Sequence, residues 1–292
     1  MKKGTKIILL TAGICTIVGG TLAGIAAACG GTYQRETFER VTYSVENHFE
    51  QVLIQASDAN VIILPSETGS CYVQCDETAS IHYTVEVKND KLYLEEHDNR
   101  TKSRFIGVML EEREVVLYLP TQTAHDFALE AETASGNIRC ESELPLFPVM
   151  SLQTTSGNVY LSSPVDDVSI STNSGNIHFT DNDCSRVKIN ACSGEVNLAD
   201  ITAHDLTVHT TSGDISAMRC GTQVDSTQGA DPVEGRMAFQ STSGKIAVSV
   251  LSSMRFSAES SSGDIHCPPS GDADGELRAE STSGDISITV IE

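Results

Sequence analysis

Hydrophobic and polar residues alternate along the second half of the chain in a pattern that returns about every 19 residues. Each copy is centred on a Ser-Gly pair, and the glycines are Gly136, Gly157, Gly175, Gly194, Gly213, Gly244, Gly263 and Gly284. Counted from the glycine, positions −7, −5, +2 and +4 are mostly apolar, and the residues between them are polar or small. A period of two indicates half-buried strands. Each copy is therefore predicted to form two short strands that meet at a Ser-Gly corner, where glycine supplies backbone angles that other residues resist.

The repeat fits two architectures. In an antiparallel meander, Ser-Gly is a hairpin turn. In a parallel solenoid, each copy is one coil, and every position lies on its own copy in the next coil, roughly 4.8 Å away. A hairpin does not explain why Ser recurs at position −1 and Thr, Ser or Ala at −3, whereas columns of small polar residues that bond along the axis do. The sequence thus favours an all-β protein built as a parallel β-solenoid (β-helix) of about eight coils.

Strands without the Ser-Gly pair are predicted between residues 37 and 120. They are Gln51–Ala56, Asn60–Leu64, Cys71–Cys75, Ile81–Val87, Leu92–Glu95, Phe105–Leu110 and Glu114–Leu119. Because a solenoid exposes a strand edge at each end, residues 31–124 are expected to form an irregular β cap on the solenoid of residues 125–292. The chain stops after the eighth copy, so an open C-terminal coil that allows self-association is also expected.

The first 30 residues are predicted to be a membrane anchor or signal segment. An uncharged run of 22 residues, Ile7 to Ala28, follows Lys2, Lys3 and Lys6. About 20 apolar residues span a bilayer as a helix, and the preceding lysines place the N-terminus in the cytoplasm. The small residues before Cys29 leave two alternatives open, lipidation at Cys29 and cleavage of a signal peptide. The expected location is the cell membrane, with a single pass and the C-terminal domain extracellular.

The part of the chain after Gly31 is strongly acidic. It holds all 40 Asp and Glu and 16 of the 19 Lys and Arg, which gives a net charge of −24. Nucleic acid is a poor partner for such a surface, because phosphate contacts need clustered basic residues. The expected partners are the membrane itself and an envelope protein or a glycan. The interval between the fifth and sixth glycines is the longest, and residues 219–236 are predicted to be a surface loop, a kind of segment that often carries function.

Candidate chemistry is sparse. The spacing of the nine cysteines fits neither a zinc site nor a disulfide framework, with Cys184 and Cys220 placed in turns. Carboxylates that could form an enzyme site stack on neighbouring coils near 5 Å, the separation of a retaining glycosidase; they are Asp264, Asp285, Glu259 and Glu280. Asn and Asp at +1 also cap corners by accepting backbone N–H groups, and the chain has no Trp to stack on sugars. No catalytic, cofactor-binding or metal-binding residue is therefore assigned, and no cofactor is expected.

The segment Val115–Pro120 and the tandem units Thr154–Val159, Thr210–Ile215 and Ser281–Ile286 resemble the DUF4097 family of bacterial β-strand-repeat proteins. The resemblance covers roughly residues 40–292. It implies a β-solenoid on the bacterial envelope, a candidate adhesin, and no catalytic residues, although a fold does not fix a function. The sequence is interpreted as a membrane-anchored, extracytoplasmic β-solenoid that acts as a non-enzymatic surface or interaction module, in adhesion or envelope sensing. The alternative is a carbohydrate-active β-helix enzyme that uses the stacked carboxylates.

Overall fold

The structure is a computed structural model that describes residues 37–100, 112–121, 127–222, 235–252, 254–270 and 275–291. These residues are all-β, and their 21 strands join in one sheet. The strands are β1 Glu39–Val45, β2 Gln51–Ala56, β3 Asn60–Ser66, β4 Cys71–Glu77, β5 Ile81–Lys88, β6 Lys91–Asp98, β7 Glu114–Pro120, β8 Ala128–Thr133, β9 Ile138–Cys140, β10 Phe147–Thr154, β11 Val159–Leu161, β12 Val165–Thr172, β13 Ile177–Ala191, β14 Val196–Thr210, β15 Ile215–Thr222, β16 Arg236–Ser241, β17 Ile246–Val250, β18 Arg255–Ser260, β19 Ile265–His266, β20 Glu276–Ser281 and β21 Ile286–Val290.

The strands of the Ser-Gly repeats pair in parallel, with each position opposite its own copy. Val159 lies opposite Ile138 on one side and Ile177 on the other, all three at position +2. The strands before the corners form one column, called here the leading column, and those after the corners form the trailing column. This is the pairing of a stack of coils, and the antiparallel pairing that a meander requires is absent from the described repeats.

The stack continues toward the N-terminus beyond the first Ser-Gly pair. β2 and β3 pair in parallel with β8 and β9, and β6 and β7 pair in parallel with β2 and β3. Residues on both sides of the expected boundary at position 124 therefore belong to the same sheet. Among the described strands the antiparallel pairs are β1 with β4, β4 with β7 and β5 with β6, and β1, β4 and β5 thereby cover this end of the stack. β1 lacks a counterpart among the strands predicted from the sequence.

The order of the last two coils is not the order of the chain. β20 lies between β16 and β18, and β21 lies between β17 and β19. The prediction that the C-terminal repeat forms the open coil is therefore wrong, because that repeat is paired on both sides. The coil of β18 and β19, residues 255–266, ends the stack and is called the terminal coil.

Some coils have a third side that the sequence did not predict. β13 and β14 each run 15 residues, from one Ser-Gly corner almost to the next. They bend at Asp181 and Asp200, which share position +6 and both have φ of 56°. Cys184 and Cys220 consequently lie buried in β13 and β15, and their expected placement in turns is wrong.

The core lies inside the coils, where the sequence pattern placed it. Positions −7, −5, +2 and +4 are buried in the first six repeats and in the eighth, as at Leu152, Ile215 and Phe239. In the terminal coil the same positions are partly or largely exposed, because no coil among the described residues covers them.

Several predictions fall on residues outside the described ranges. They include the membrane anchor of residues 1–30, the strand Phe105–Leu110 and most of the loop between the fifth and sixth repeats, whose ends belong to β15 and β16. In the ranges that the structure describes, no helix is long and apolar enough to cross a membrane.

Candidate functional site at the open end of the stack

The Ser-Gly corner needs glycine because successive coils approach closely there. A Cβ atom on Gly175 would lie 1.6 Å from the carbonyl oxygen of Gly157 in the neighbouring coil, and one on Gly244 would lie 1.9 Å from that of Gly213. None of the repeat glycines has a φ in the left-handed region. The expectation that glycine supplies unusual backbone angles is therefore wrong, and the reason is the space between coils.

A zigzag of hydroxyl groups joins the coils at these corners. Thr154 Oγ1 donates to the carbonyl of Gly136 in the preceding coil (3.1 Å) and accepts the N–H of Gly157 in its own coil (3.0 Å). Ser281 and Ser260 make the same two bonds at the far end of the stack. The predicted column of small polar residues that bond along the axis is thus confirmed, with the bonds passing through the glycine backbone.

The side chains at position +1 form a second ladder outside the corner. Asn137 Oδ1 accepts the backbone N–H of Asn158, and Asn158 Oδ1 accepts that of Asn176, each at 2.8 Å. Asp285 Oδ1 accepts the N–H of Asp264 at 3.1 Å in the last pair of coils. Asn and Asp therefore serve the stacking of the coils, as the capping interpretation of this column predicts.

The terminal coil exposes a strand edge and part of the core. Phe256 and Ala258 are half-buried, and Ile265 is 45% exposed, although Ile286 beside it is buried. The described residues contribute no strand to the outer sides of β18 and β19. The N–H of Arg255 donates inward to the carbonyl of Gly275, so by the alternation of a strand the backbone groups of Ala258 and Ser260 face the open side.

Charge alternates along position −8 of the leading column. In their order in the stack these residues are Asp167, Arg186, Asp205, Arg236, Glu276 and Arg255, each opposite the next. If the coils were stacked in the order of the sequence, Arg236 would lie opposite Arg255. Like charges directly opposite each other are destabilising. Placing the last repeat before the terminal coil restores the alternation and leaves the cation Arg255 at the open edge.

The carboxylates considered for an enzyme site lie at this end. Glu259 is opposite Glu280, and Asp264 is hydrogen-bonded to Asp285. Glu259 and Glu280 line an open cleft of about 710 Å³ together with His209, Gln240 and Ile265. Gln240 Nε2 donates to Glu280 Oε2 at 2.7 Å. The two acidic pairs are thus on neighbouring coils, as the spacing predicts, and one member of each accepts a hydrogen bond that stabilises the stack.

The described cysteines are thiols in the core or at its margin, with one exception. Burial raises the pKa of Cys140 and Cys184 to about 12. Cys192 is exposed, and all seven described cysteines are free. No group of three or more His, Cys, Asp and Glu side chains in the described ranges is placed to hold a metal ion.

The family model of Toastrack DUF4097 matches residues 49–292. The chain belongs to this family. Among solved structures, a "putative adhesin" from Parabacteroides distasonis ATCC 8503 has a TM-score of 0.57 at 10% identity, over 86% of this chain and 97% of its own. A "putative lipid binding protein" from the same organism has a TM-score of 0.52 at 17% identity, over 88% of this chain and 97% of its own. At these identities the likeness concerns the fold alone. No curated protein matches the chain.

The open end of this Toastrack protein could have been located from one signal in the sequence. The charges of Arg236, Arg255 and Glu276 alternate only if the last two repeats exchange places. Hydrophobic periodicity carries no such information, because both orders bury the same positions.

Proposed function

We propose that this Toastrack protein is a membrane-anchored, extracytoplasmic interaction module, not an enzyme, and that its open end is the surface it presents. The observation that carries the proposal is that the strand next to the predicted anchor and the open coil lie at opposite ends of the stack. β1, which follows the predicted anchor, and β19 are the first and last of twelve strands in the trailing column and its cap. At about 4.8 Å per strand the open end is roughly 50 Å from β1.

Three further features support an interaction module in the cell envelope. The uncharged run of 22 residues near the N-terminus has the length of a membrane span. The net charge of −24 after Gly31 suits an exposed, soluble surface and opposes nucleic acid. The structural neighbours are named for binding, one as an adhesin and one as a lipid-binding protein, which is the same class of function.

The location is tested with Cys192, which is exposed on the stack. We expect a membrane-impermeant maleimide to label the full chain on intact cells, and the Cys192→Ser variant to lose most of this label. The core thiols Cys140 and Cys184 are buried and should react only after denaturation. Labelling of Cys192 that requires lysis of the cells would contradict an extracytoplasmic domain.

The binding surface is tested by recovery of envelope components on the full chain in mild detergent. We expect Ile265→Asp, at the open end, to lose the bound component. Val149→Asp is the matched control, because Val149 is also about half exposed (50%) but lies in an inner coil. Equal loss in both variants, or equal retention, would contradict a site at the open end.

The cleft beside Glu259 and Glu280 favours one second candidate, a glycan-active enzyme. Hydrolysis of a glycan that Glu259→Gln abolishes would establish it and overturn the non-enzymatic proposal. Each carboxylate column also lies on the exterior of the stack, where a contribution to solubility is a sufficient role for it.

A further inference from the structure

We propose that the terminal coil pairs edge to edge with the terminal coil of a second copy of this chain. In this arrangement the two β18 strands run antiparallel about a two-fold axis at Ser257. An exposed strand edge is a template for pairing with another chain, and a two-fold contact presents the same patch from both copies.

The charges of β18 are complementary to β18 itself in this register. Arg255 and Glu259 lie on either side of Ser257, two residues away in each direction. When Ser257 faces its own copy, Arg255 of each chain lies opposite Glu259 of the other. Moving the axis by one residue places Ser257 opposite Arg255 or Glu259 and removes both ion pairs, so the charges select one register.

The same register covers the exposed apolar positions. Phe256 and Ala258 point into the coil and are half-buried. With Ser257 on the axis, Phe256 of each chain lies opposite Ala258 of the other, and further apolar surface leaves water. The N–H of Phe256 now donates to Ser270 Oγ at 3.2 Å, and the pairing would exchange that bond for the carbonyl of Ala258 in the second copy.

The overall negative charge of two copies opposes their contact, but at physiological ionic strength a Debye length of about 8 Å screens most of this repulsion.

If the chain is anchored as proposed above, the open ends face away from the membrane, and such pairing would join copies on opposing surfaces. That consequence rests on the proposed function, whereas the pairing itself depends only on the described coil. The two are separable, because the labelling of Cys192 on cells tests the anchor and cross-linking of the purified chain tests the pairing.

The pairing is tested by a disulfide at the two-fold axis. The backbone groups of Ser257 face β20, so Ser257 and its copy would form a non-hydrogen-bonded pair with Cα atoms about 4.5 Å apart, within disulfide range. In the full chain carrying Cys192→Ser, in mild detergent, we expect Ser257→Cys to give a covalent dimer on mild oxidation. Ser169→Cys is the matched control, at the same position of an inner coil. A yield for Ser257→Cys no higher than for Ser169→Cys would overturn the proposal.

A charge exchange tests the register. We expect Glu259→Arg to lower the rate of cross-linking at position 257 at least tenfold, and addition of Arg255→Glu to restore most of it. Unchanged thermal melting of Glu259→Arg would show that the coil remains folded, since position 259 is on the exterior. Cross-linking that Glu259→Arg leaves unchanged would overturn the proposed pairing of Arg255 with Glu259.

Discussion

The two ends of the stack differ in how their outermost coils are covered. At the N-terminal end, β4 pairs antiparallel with β7, β5 pairs antiparallel with β6, and β1 adds a further layer on β4. At the other end, β18 and β19 have an uncovered side in the described part of the chain. Val115 and Ile265 share position +2, yet Val115 is 1% exposed and Ile265 is 45% exposed. The burial of an apolar side chain in the stack therefore depends more on whether a further strand covers it than on its residue type.

The covered end also holds charge inside the protein. Arg113 is 1% exposed, and its guanidinium forms ion pairs with Asp58 and with the buried Glu96. Burial lowers the pKa of Arg113 to about 10, and burial next to Glu96 raises the pKa of Tyr83. Arg40 of β1 joins the layers by binding Asp76 in β4 and Glu114 in β7, each at 2.8 Å. Nothing comparable covers the described residues of the terminal coil.

The largest difference between the ends is expected from an aspartate at position +2. Val115→Asp would bury an unpaired charge and should cost at least about 4 kcal/mol, enough to unfold the protein, as should Ile215→Asp in the middle of the stack. Ile265→Asp should cost about 1 kcal/mol or less, because water reaches that side chain. Urea denaturation of the three variants measures their losses of unfolding free energy. Equal losses would contradict the claim that the coil of Ile265 is uncovered.

The buried ion pairs give the second largest effect. Arg113→Ala leaves Glu96 buried without its cation and should cost about 3–5 kcal/mol. Arg186→Ala removes an exposed ion pair with Asp167 (3.0 Å) and should cost less than about 1 kcal/mol. Both changes remove an Arg, so the difference between the two unfolding free energies isolates the effect of burial. Similar values would show that the cluster at the covered end is solvated.

The hydroxyl zigzag gives a smaller difference between adjacent coils. Ser281 and Ser260 each accept the N–H of their own glycine and donate to the glycine carbonyl of the neighbouring coil, but Ser281 is buried and Ser260 is only half-buried. Ser281→Ala should cost about 1–3 kcal/mol, because two backbone groups lose their partner away from water. Ser260→Ala should cost clearly less. A larger loss of stability for Ser260→Ala than for Ser281→Ala would indicate that the coil of Ser260 is covered, and would contradict its position at the open end.

The smallest effect concerns pH. Burial, assisted by nearby carboxylates, raises the pKa of Cys75 at the covered end to about 12. A thiol whose folded pKa lies above its unfolded value of about 9 stabilises the fold below pH 9 and loses that contribution as the pH rises toward 12. Stability should therefore fall by about 1 kcal/mol per buried thiol between pH 9 and 10. In urea titrations Cys75→Ala should reduce this fall; an unchanged slope would contradict the assignment.

The fold could be predicted from the sequence as far as local patterns determine it. Alternation identified most strands and the inward positions, such as Leu152 and Ile215, and the recurrence of Thr and Ser at −3 favoured parallel stacking. The order of the last coils could not be predicted from alternation, because pairing between β16 and β20 is non-local and either order buries the same residues. The cluster around Arg113 and Glu96 has no pattern along the chain, since its members come from separate segments that meet only in the folded cap.

Hydrogen exchange of individual backbone amides tests the difference between the two ends most directly. It is best measured on Glu259→Arg, so that pairing between copies does not cover the edge. The account predicts slow exchange throughout β7 and β20, which are paired on both sides, and fast exchange of the amides of Ala258, Ser260 and Ile265. Protection of these three amides equal to that of β20, or fast exchange along β20 itself, would contradict the account.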